Sequence, residues 1–141
     1  SKGYGLLQLT SGQLLIAGAR SNAEGQSQAL LMLLEATGRE IWSRTYGGVG
    51  MISAAHALIE TSNGLLVAAG TQFEDYAQYQ DDVYLFCVDA DGDLQWEQTH
   101  ATGKHVMVEG LLEASDGGLL IAGTGGIPGE PFQAMLMRTE P

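Results

Sequence analysis

The stretch GLLQLTSGQLLIAG, residues 5–18, decides the fold because it occurs three times in the chain. It returns as ALIETSNGLLVAAG at residues 57–70 and as GLLEASDGGLLIAG at residues 110–123. Each copy has two short apolar runs on either side of a polar turn, and each ends on an Ala-Gly pair. Self-similarity at a fixed spacing is the signature of a repeat architecture. Each copy is therefore predicted to form two antiparallel strands joined by a turn.

Two further strands are predicted to follow the hairpin in the first two repeats. In the first repeat they are ALLMLLE (29–35) and EIWSRTY (40–46), and in the second VYLFCVD (83–89) and DLQWEQT (93–99). The leucine-rich run 29–35 has a composition that suits a helix, but its counterpart is rich in β-branched and aromatic residues. Because equivalent repeats share a structure, both runs are predicted to be strands.

The pattern predicts one all-β domain of three repeats and eleven strands, with four antiparallel strands in each complete repeat. The repeats cover residues 1–51, 52–106 and 107–141. Their hairpins place strands at 6–9 and 13–19, at 56–61 and 65–71, and at 110–114 and 119–124. The third repeat ends inside AMLMRTEP (134–141), which corresponds to a third strand, so its fourth strand is missing.

The composition favours a folded protein and excludes two classes of partner. A chain of 141 residues with 45% hydrophobic residues is sufficient for one domain with its own core. A net charge of −11 argues against nucleic acids and anionic membrane surfaces, because both require clustered Lys and Arg. The single cysteine, Cys87, excludes an internal disulfide and lies in an apolar run, where we expect it to be buried.

Three segments carry a resemblance to a known family: SDGGLLIAG (115–123), DVYLFCVDADGDLQW (82–96) and TYGG (45–48). They resemble the blade consensus S-D-G-G-x-x-x-A-G-x…D-x-Y-L-x-x-x-D-x-D-G-x-x-x-W-x-x-T-x-G-G of bacterial repeat β-propellers. The resemblance covers essentially the whole chain. It implies four-stranded blades in an extracytoplasmic protein, or in a module of a larger surface protein, commonly without an assigned reaction.

Propellers close with about four to eight blades, and this chain supplies fewer than three complete ones. Two arrangements follow from the resemblance: the chain is part of a longer propeller, or it binds itself as a homo-oligomer, for which a dimer forming a six-bladed ring is our hypothesis. Three repeats of four strands also fit a β-trefoil or a β-prism, which would close as a monomer.

Because consecutive strands run in opposite directions, successive connections lie on two opposite faces of the repeats. The tight glycine turns share one face, and the longer segments share the other, namely 20–28, 46–54, 72–81, 100–107 and 124–132. We call the second of these the loop face. Binding residues concentrate on loops that a rigid scaffold holds in place. The loop face is therefore predicted to be the functional one.

The loop of the second repeat, QFEDYAQYQDD (72–82), combines aromatic and acidic side chains. Aromatic rings stack on sugars and cations, while carboxylates accept hydrogen bonds from hydroxyl groups or bind hard cations. The following connection adds two histidines. The predicted ligand-binding residues are Phe73, Glu74, Asp75, Tyr76, Tyr79, Asp81, Asp82, His100 and His105. An ordinary solvated loop explains the same composition.

No motif predicts a reaction, a metal or a cofactor. In DADGD (89–93), Leu94 occupies the position that an EF-hand gives to glycine, so a hairpin turn is the prediction. Trp42 and Trp96 recur at one position and are interpreted as packing anchors, and His56 is expected to face a neighbouring repeat or a central channel.

We expect a non-catalytic scaffold or binding module for protein or glycan contacts. The alternative is a carbohydrate-active enzyme with its site at the mouth of the completed ring.

Overall fold

Eleven β-strands account for most of the chain in the computed structural model, which describes residues 1–48, 50–74, 81–127 and 129–140. These ranges contain no helix, and thus none that could cross a membrane, and the prediction of an all-β fold is confirmed. The strands are β1 (Lys2–Gln8), β2 (Leu14–Ser21), β3 (Ser27–Leu34), β4 (Glu40–Tyr46), β5 (Met51–Glu60), β6 (Leu66–Glu74), β7 (Asp82–Val88), β8 (Leu94–Ala101), β9 (His105–Glu113), β10 (Leu119–Gly126) and β11 (Gln133–Arg138).

The strands form three separate antiparallel sheets, in which neighbours in sequence are neighbours in space. Sheet 1 has the order β1-β2-β3-β4, sheet 2 the order β5-β6-β7-β8, and sheet 3 contains β9, β10 and β11. This is the predicted arrangement of repeated antiparallel units with three strands in the last. Within the described ranges no ladder joins one sheet to the next, so these strands do not close a barrel of the trefoil type.

The first strand of each sheet is longer than predicted, because each contains a β-bulge that interrupts the apolar alternation. β1, β5 and β9 begin at Lys2, Met51 and His105, several residues before the predicted starts. The residues skipped by the ladders lie at the same place in the three repeats and are Tyr4, His56 and Glu109. A bulge shifts the pleat by one residue, so a pattern of period two cannot be followed through it.

The bulges explain the glycine of each Ala-Gly pair. Gly18, Gly70 and Gly123 lie directly beside the bulges on the neighbouring strand. A Cβ atom added to Gly70 would overlap the backbone carbonyl of Ala54, and the other two glycines meet the equivalent carbonyl in their own sheets. The turn glycines have a different role: Gly64, for example, has a φ of +85°, a conformation that residues with a side chain rarely adopt.

The sheets are stacked face to face, with one apolar cluster in each of the two interfaces. Between sheets 1 and 2 the cluster includes Leu15, Leu31, Leu66, Tyr84 and Phe86. Between sheets 2 and 3 it includes Val67, Leu85, Cys87, Val108 and Ile121. Alternate residues of β6 and β7 therefore enter opposite clusters, and both faces of sheet 2 are buried. A strand buried on both faces reads as a continuous apolar run, which accounts for VYLFCV.

Candidate functional site

A cavity of about 360 Å³ opens on the loop face between sheets 2 and 3. Asp81, which directly precedes β7, and the β8–β9 connection lie on this face. Its lining combines rings, one carboxylate and one hydroxyl, and consists of His56, Thr71, Phe73, Asp81, His105, Val106 and Met107. Three of the residues predicted from the sequence, Phe73, Asp81 and His105, thus meet in one cavity.

Asp81 is fixed at the cavity by hydrogen bonds to the β8–β9 connection and to the start of β9. Its backbone N–H donates to the carbonyl of Lys104 at 3.0 Å, and its own carbonyl accepts from the Thr102 hydroxyl at 3.0 Å. The Asp81 side chain is buried, and its Oδ2 accepts a hydrogen bond from the Val106 N–H at 3.1 Å. Burying a carboxylate is costly unless it is paired and hydrogen-bonded, so these contacts are what keep Asp81 in place.

His105 forms the second contact of this carboxylate, with its Nδ1 located 2.6 Å from Asp81 Oδ2. When Nδ1 carries the donated proton, Nε2 is the acceptor nitrogen of the neutral ring. The imidazole is exposed and lies at a tilt against Phe132, with 6.0 Å between the ring centroids. Asp81 and His105 therefore form a His-carboxylate pair on the cavity wall.

His56 contributes a second imidazole from the bulge of β5. Its ring stacks on Tyr4 of β1, with centroids 4.5 Å apart and planes inclined by 26°. Burial lowers the pKa of His56 below its ordinary value of 6.5, so the ring is uncharged at neutral pH. The expectation that His56 faces a neighbouring repeat is confirmed by this contact with Tyr4.

The structure does not bring all predicted residues to the cavity. His100 lies in β8 opposite Val83, with its Nε2 3.3 Å from Gln98 Oε1. Glu74 and Asp82 are ladder residues at the ends of β6 and β7, and neither lines the cavity. Asp75, Tyr76 and Tyr79 lie outside the described residues.

Four lining residues, His56, Thr71, Val106 and Met107, were not predicted as part of the site. Thr71 immediately follows Gly70, which lies beside the bulge at His56. The repeated Ala-Gly pair was therefore the available signal: it marks where the first strand of a repeat turns an unpaired side chain outward.

The acidic sequence Asp89 to Asp93 forms the predicted turn. The carboxylates of Asp89, Asp91 and Asp93 lie within 4.8 Å of one another, but Asp89 Oδ1 already accepts hydrogen bonds from the N–H groups of the other two. Asp93 also pairs with Arg44 of sheet 1 at 2.7 Å. The cluster therefore serves the turn and the contact between sheets 1 and 2.

The opposite face carries a second cavity, of about 280 Å³, beside Trp96. At the same place between sheets 1 and 2 the cavity measures only about 120 Å³ and is lined in part by Ala90 of the β7–β8 turn. There, Trp42 Nε1 donates to the Ala90 carbonyl at 3.0 Å. Sheet 3 has no such turn among the described residues, because β11 is its last strand. The cavity beside Trp96 is thus larger because no described turn approaches it, and none of the residues that line it was predicted to bind a ligand.

Comparison of the chain with models of known protein families finds no matching family, and comparison with curated proteins finds no matching relative. The residues around the cavity therefore carry the functional argument.

Proposed function

We propose that the chain is a non-catalytic binding module of the β-propeller type, which holds a glycan or a polar protein segment in the cavity between sheets 2 and 3. The observation that carries this proposal is the convergence on the loop face of Phe73 near the end of β6, Asp81 just before β7 and His105 at the start of β9. The blade motifs in the sequence support the propeller part of the proposal.

The chemistry of the lining suits a ligand with hydroxyl groups and flat apolar faces. Phe73 and the imidazoles of His56 and His105 offer ring surfaces, on which the apolar face of a sugar or an aromatic side chain can stack. Asp81, Thr71 and the ring nitrogens supply the few polar groups that orient a ligand in such a pocket. Sheet 2 is buried on both faces, so the wall that bears Phe73 and Thr71 is rigid.

Glycan and peptide arrays, followed by calorimetric titration of each hit, test this proposal. Asp81→Asn and Phe73→Ala are each expected to weaken binding by about tenfold or more, a change of about 1.4 kcal/mol. The matched control is Asp82→Asn, since Asp82 is the neighbouring carboxylate, begins β7 and does not line the cavity. Phe73 is only half-buried, so its variant is expected to remain folded. Unchanged binding in both variants, or an array without hits, contradicts the proposal.

The His105–Asp81 pair is the one observation that favours the second candidate, a carbohydrate-active enzyme. Glycoside hydrolysis by the usual route requires two carboxylates about 5–9.5 Å apart. The described lining supplies one, Asp81. Incubating each glycan hit with the protein distinguishes the candidates: release of a reducing sugar that is lost in His105→Ala would establish the enzyme and replace the binding module.

A further inference from the structure

The outer face of sheet 3, which points away from sheet 2, is apolar, and none of the residues that the structure describes covers it. Its apolar side chains include Leu112, Leu120, Ala122, Ala134 and Leu136. Leu136 is 73% exposed and Leu112 is 59% exposed. Contiguous exposed apolar patches are rare on soluble monomers and mark interaction surfaces.

The ladders show that this face has a buried counterpart within the chain. Leu136 pairs with Ala122 across the β10–β11 ladder. The pair at the same place in sheet 2 is Leu85 with Ala69, and both of these residues are fully buried against sheet 3. The outer face of sheet 3 therefore has the residue pattern that sheet 2 uses to bind the next sheet.

The outer face of sheet 1 has the complementary pattern. Leu6 pairs with Ile16 on this face, and Leu6 is 69% exposed. The pair at the same place in sheet 2 is Leu58 with Ala68, which packs against sheet 1. Ile16 in turn lies opposite Met32. The outer face of sheet 1 thus has the pattern that sheet 2 uses to receive the preceding sheet.

We propose that the outer face of sheet 3 docks on the outer face of sheet 1 of a second copy of this chain. The contact repeats the interface that occurs twice inside the molecule, between sheets 1 and 2 and between sheets 2 and 3. It is heterologous, so it propagates until a ring closes. Rings of stacked four-stranded sheets contain about four to eight of them, and six is the multiple of three in that range. Two copies therefore close the ring through two identical contacts.

A recurrent hydrogen bond fixes the register of the proposed contact. The Thr10 N–H, two residues after β1, donates to the carboxylate of Glu60, the last residue of β5, at 2.9 Å. The Ser62 N–H, two residues after β5, donates in the same way to Glu113, the last residue of β9, at 3.1 Å. Ser115, two residues after β9, and Gln8, the last residue of β1, hold the equivalent positions on the two outer faces. In the proposed contact, the Ser115 N–H of one copy therefore donates to the side-chain oxygen of Gln8 in the other copy.

Sedimentation equilibrium measures the mass of the assembly in solution, and this mass can be determined without any ligand in the cavity. The wild-type chain is expected at twice its mass of 14.9 kDa. Leu136→Glu and Leu6→Glu, at exposed positions on the two outer faces, are each expected to lower the mass to that of one chain. Mixing the two variants is expected to restore a complex of two chains, because one intact sheet 3 then meets one intact sheet 1.

Leu94→Glu is the matched control, since Leu94 is a 46% exposed leucine away from both outer faces and its counterpart in sheet 1 is already Glu40. This variant is expected to remain a dimer. A wild-type monomer, a dimer that persists in both face variants, or an open polymer of many chains overturns the proposal.

Crosslinking tests the register. The double variant Gln8→Cys with Ser115→Cys is expected to join two chains through a short bis-maleimide, as shown by mapping the linked peptides. The control pairs Ser115→Cys with Glu24→Cys in the exposed β2–β3 connection, which lies on the other face. Equal yields of linked dimer from both pairs overturn the proposed register.

Discussion

His56 and Tyr4 stack across the first two sheets, with ring centroids 4.5 Å apart, and each is the unpaired residue of a β-bulge. The contact therefore joins two equivalent irregularities of neighbouring repeats. The bulges turn these side chains out of the ladder at the positions where the first strands of the sheets approach one another. The close approach is also seen at Gly5, whose added Cβ would lie 2.7 Å from the carbonyl oxygen of His56.

His56 is expected to make stability depend on pH in a defined window. Burial lowers its pKa from 6.5 in the folded chain, so between the lowered value and 6.5 the unfolded chain binds more protons than the folded one. The free energy of unfolding should therefore fall as the pH drops below about 7, and be unaffected by His56 above that range. Urea unfolding at pH 5.5 and pH 8 measures the difference.

His56→Gln removes this titration, so its stability should change less between the two pH values than that of the wild type. His100→Gln is the control, because His100 lies on the outermost strand of sheet 2. The explanation fails if the His56 variant keeps the full pH dependence of the wild type.

Gly70, which lies across from the bulge at His56, should be far less tolerant of substitution than Gly110, which lies on a bulged strand next to the unpaired Glu109. In Gly70→Ala the new methyl group overlaps the Ala54 carbonyl, which is backbone and cannot rotate away. We expect a loss of more than about 3 kcal/mol in the free energy of unfolding. In Gly110→Ala the nearest atom is the Ala122 Cβ at 3.7 Å, an ordinary contact, and the loss should stay below about 1 kcal/mol. Equal losses in chemical denaturation would contradict the bulge geometry.

Much of the fold could be predicted from the sequence because turns and strands are local features. The repeated glycine turns and the continuous run 83–88 are set by backbone conformation and by burial on both faces. The bulges were not predicted, because an unpaired residue such as His56 is defined relative to the strand beside it and its signal, the Ala-Gly pair, lies on that other strand. The strand starts at Lys2 and Met51 were missed for the same reason.

For the candidate site, the sequence predicted only which side of the molecule it lies on, because the strand order places the longer loops on one face. That argument brought Phe73, Asp81 and His105 to the same side of the molecule. The 2.6 Å contact between Asp81 and His105 depends on long-range hydrogen bonds, such as the one that the Val106 N–H donates to Asp81, and no local sequence pattern predicts these. His100, five residues before His105 in the sequence, lies in β8 opposite Val83 and does not line the cavity.

The Cys87 thiol should be inert in the folded protein. It is 1% exposed, and burial raises its pKa to about 11. At pH 8 only about one thiol in a thousand would then be ionised, and the thiolate is the reactive form. Ellman's reagent is expected to give almost no signal with the native protein and one equivalent of thiol in guanidinium chloride. Rapid reaction of the native protein at pH 8 would show that sheet 2 opens far more readily than its packing implies.

Trp42 and Trp96 hold the same position in their sheets but should contribute differently to stability. The Trp42 N–H donates to the Ala90 carbonyl of the adjacent turn, whereas the cavity beside Trp96 lacks that turn in the described part of sheet 3. Phenylalanine keeps the aromatic bulk and removes the donor. Trp42→Phe is therefore expected to cost about 1 kcal/mol, and Trp96→Phe clearly less. Guanidinium unfolding followed by circular dichroism gives both values, and an equal or larger loss in Trp96→Phe would mean that the indole N–H of Trp96 has an acceptor as good as Ala90.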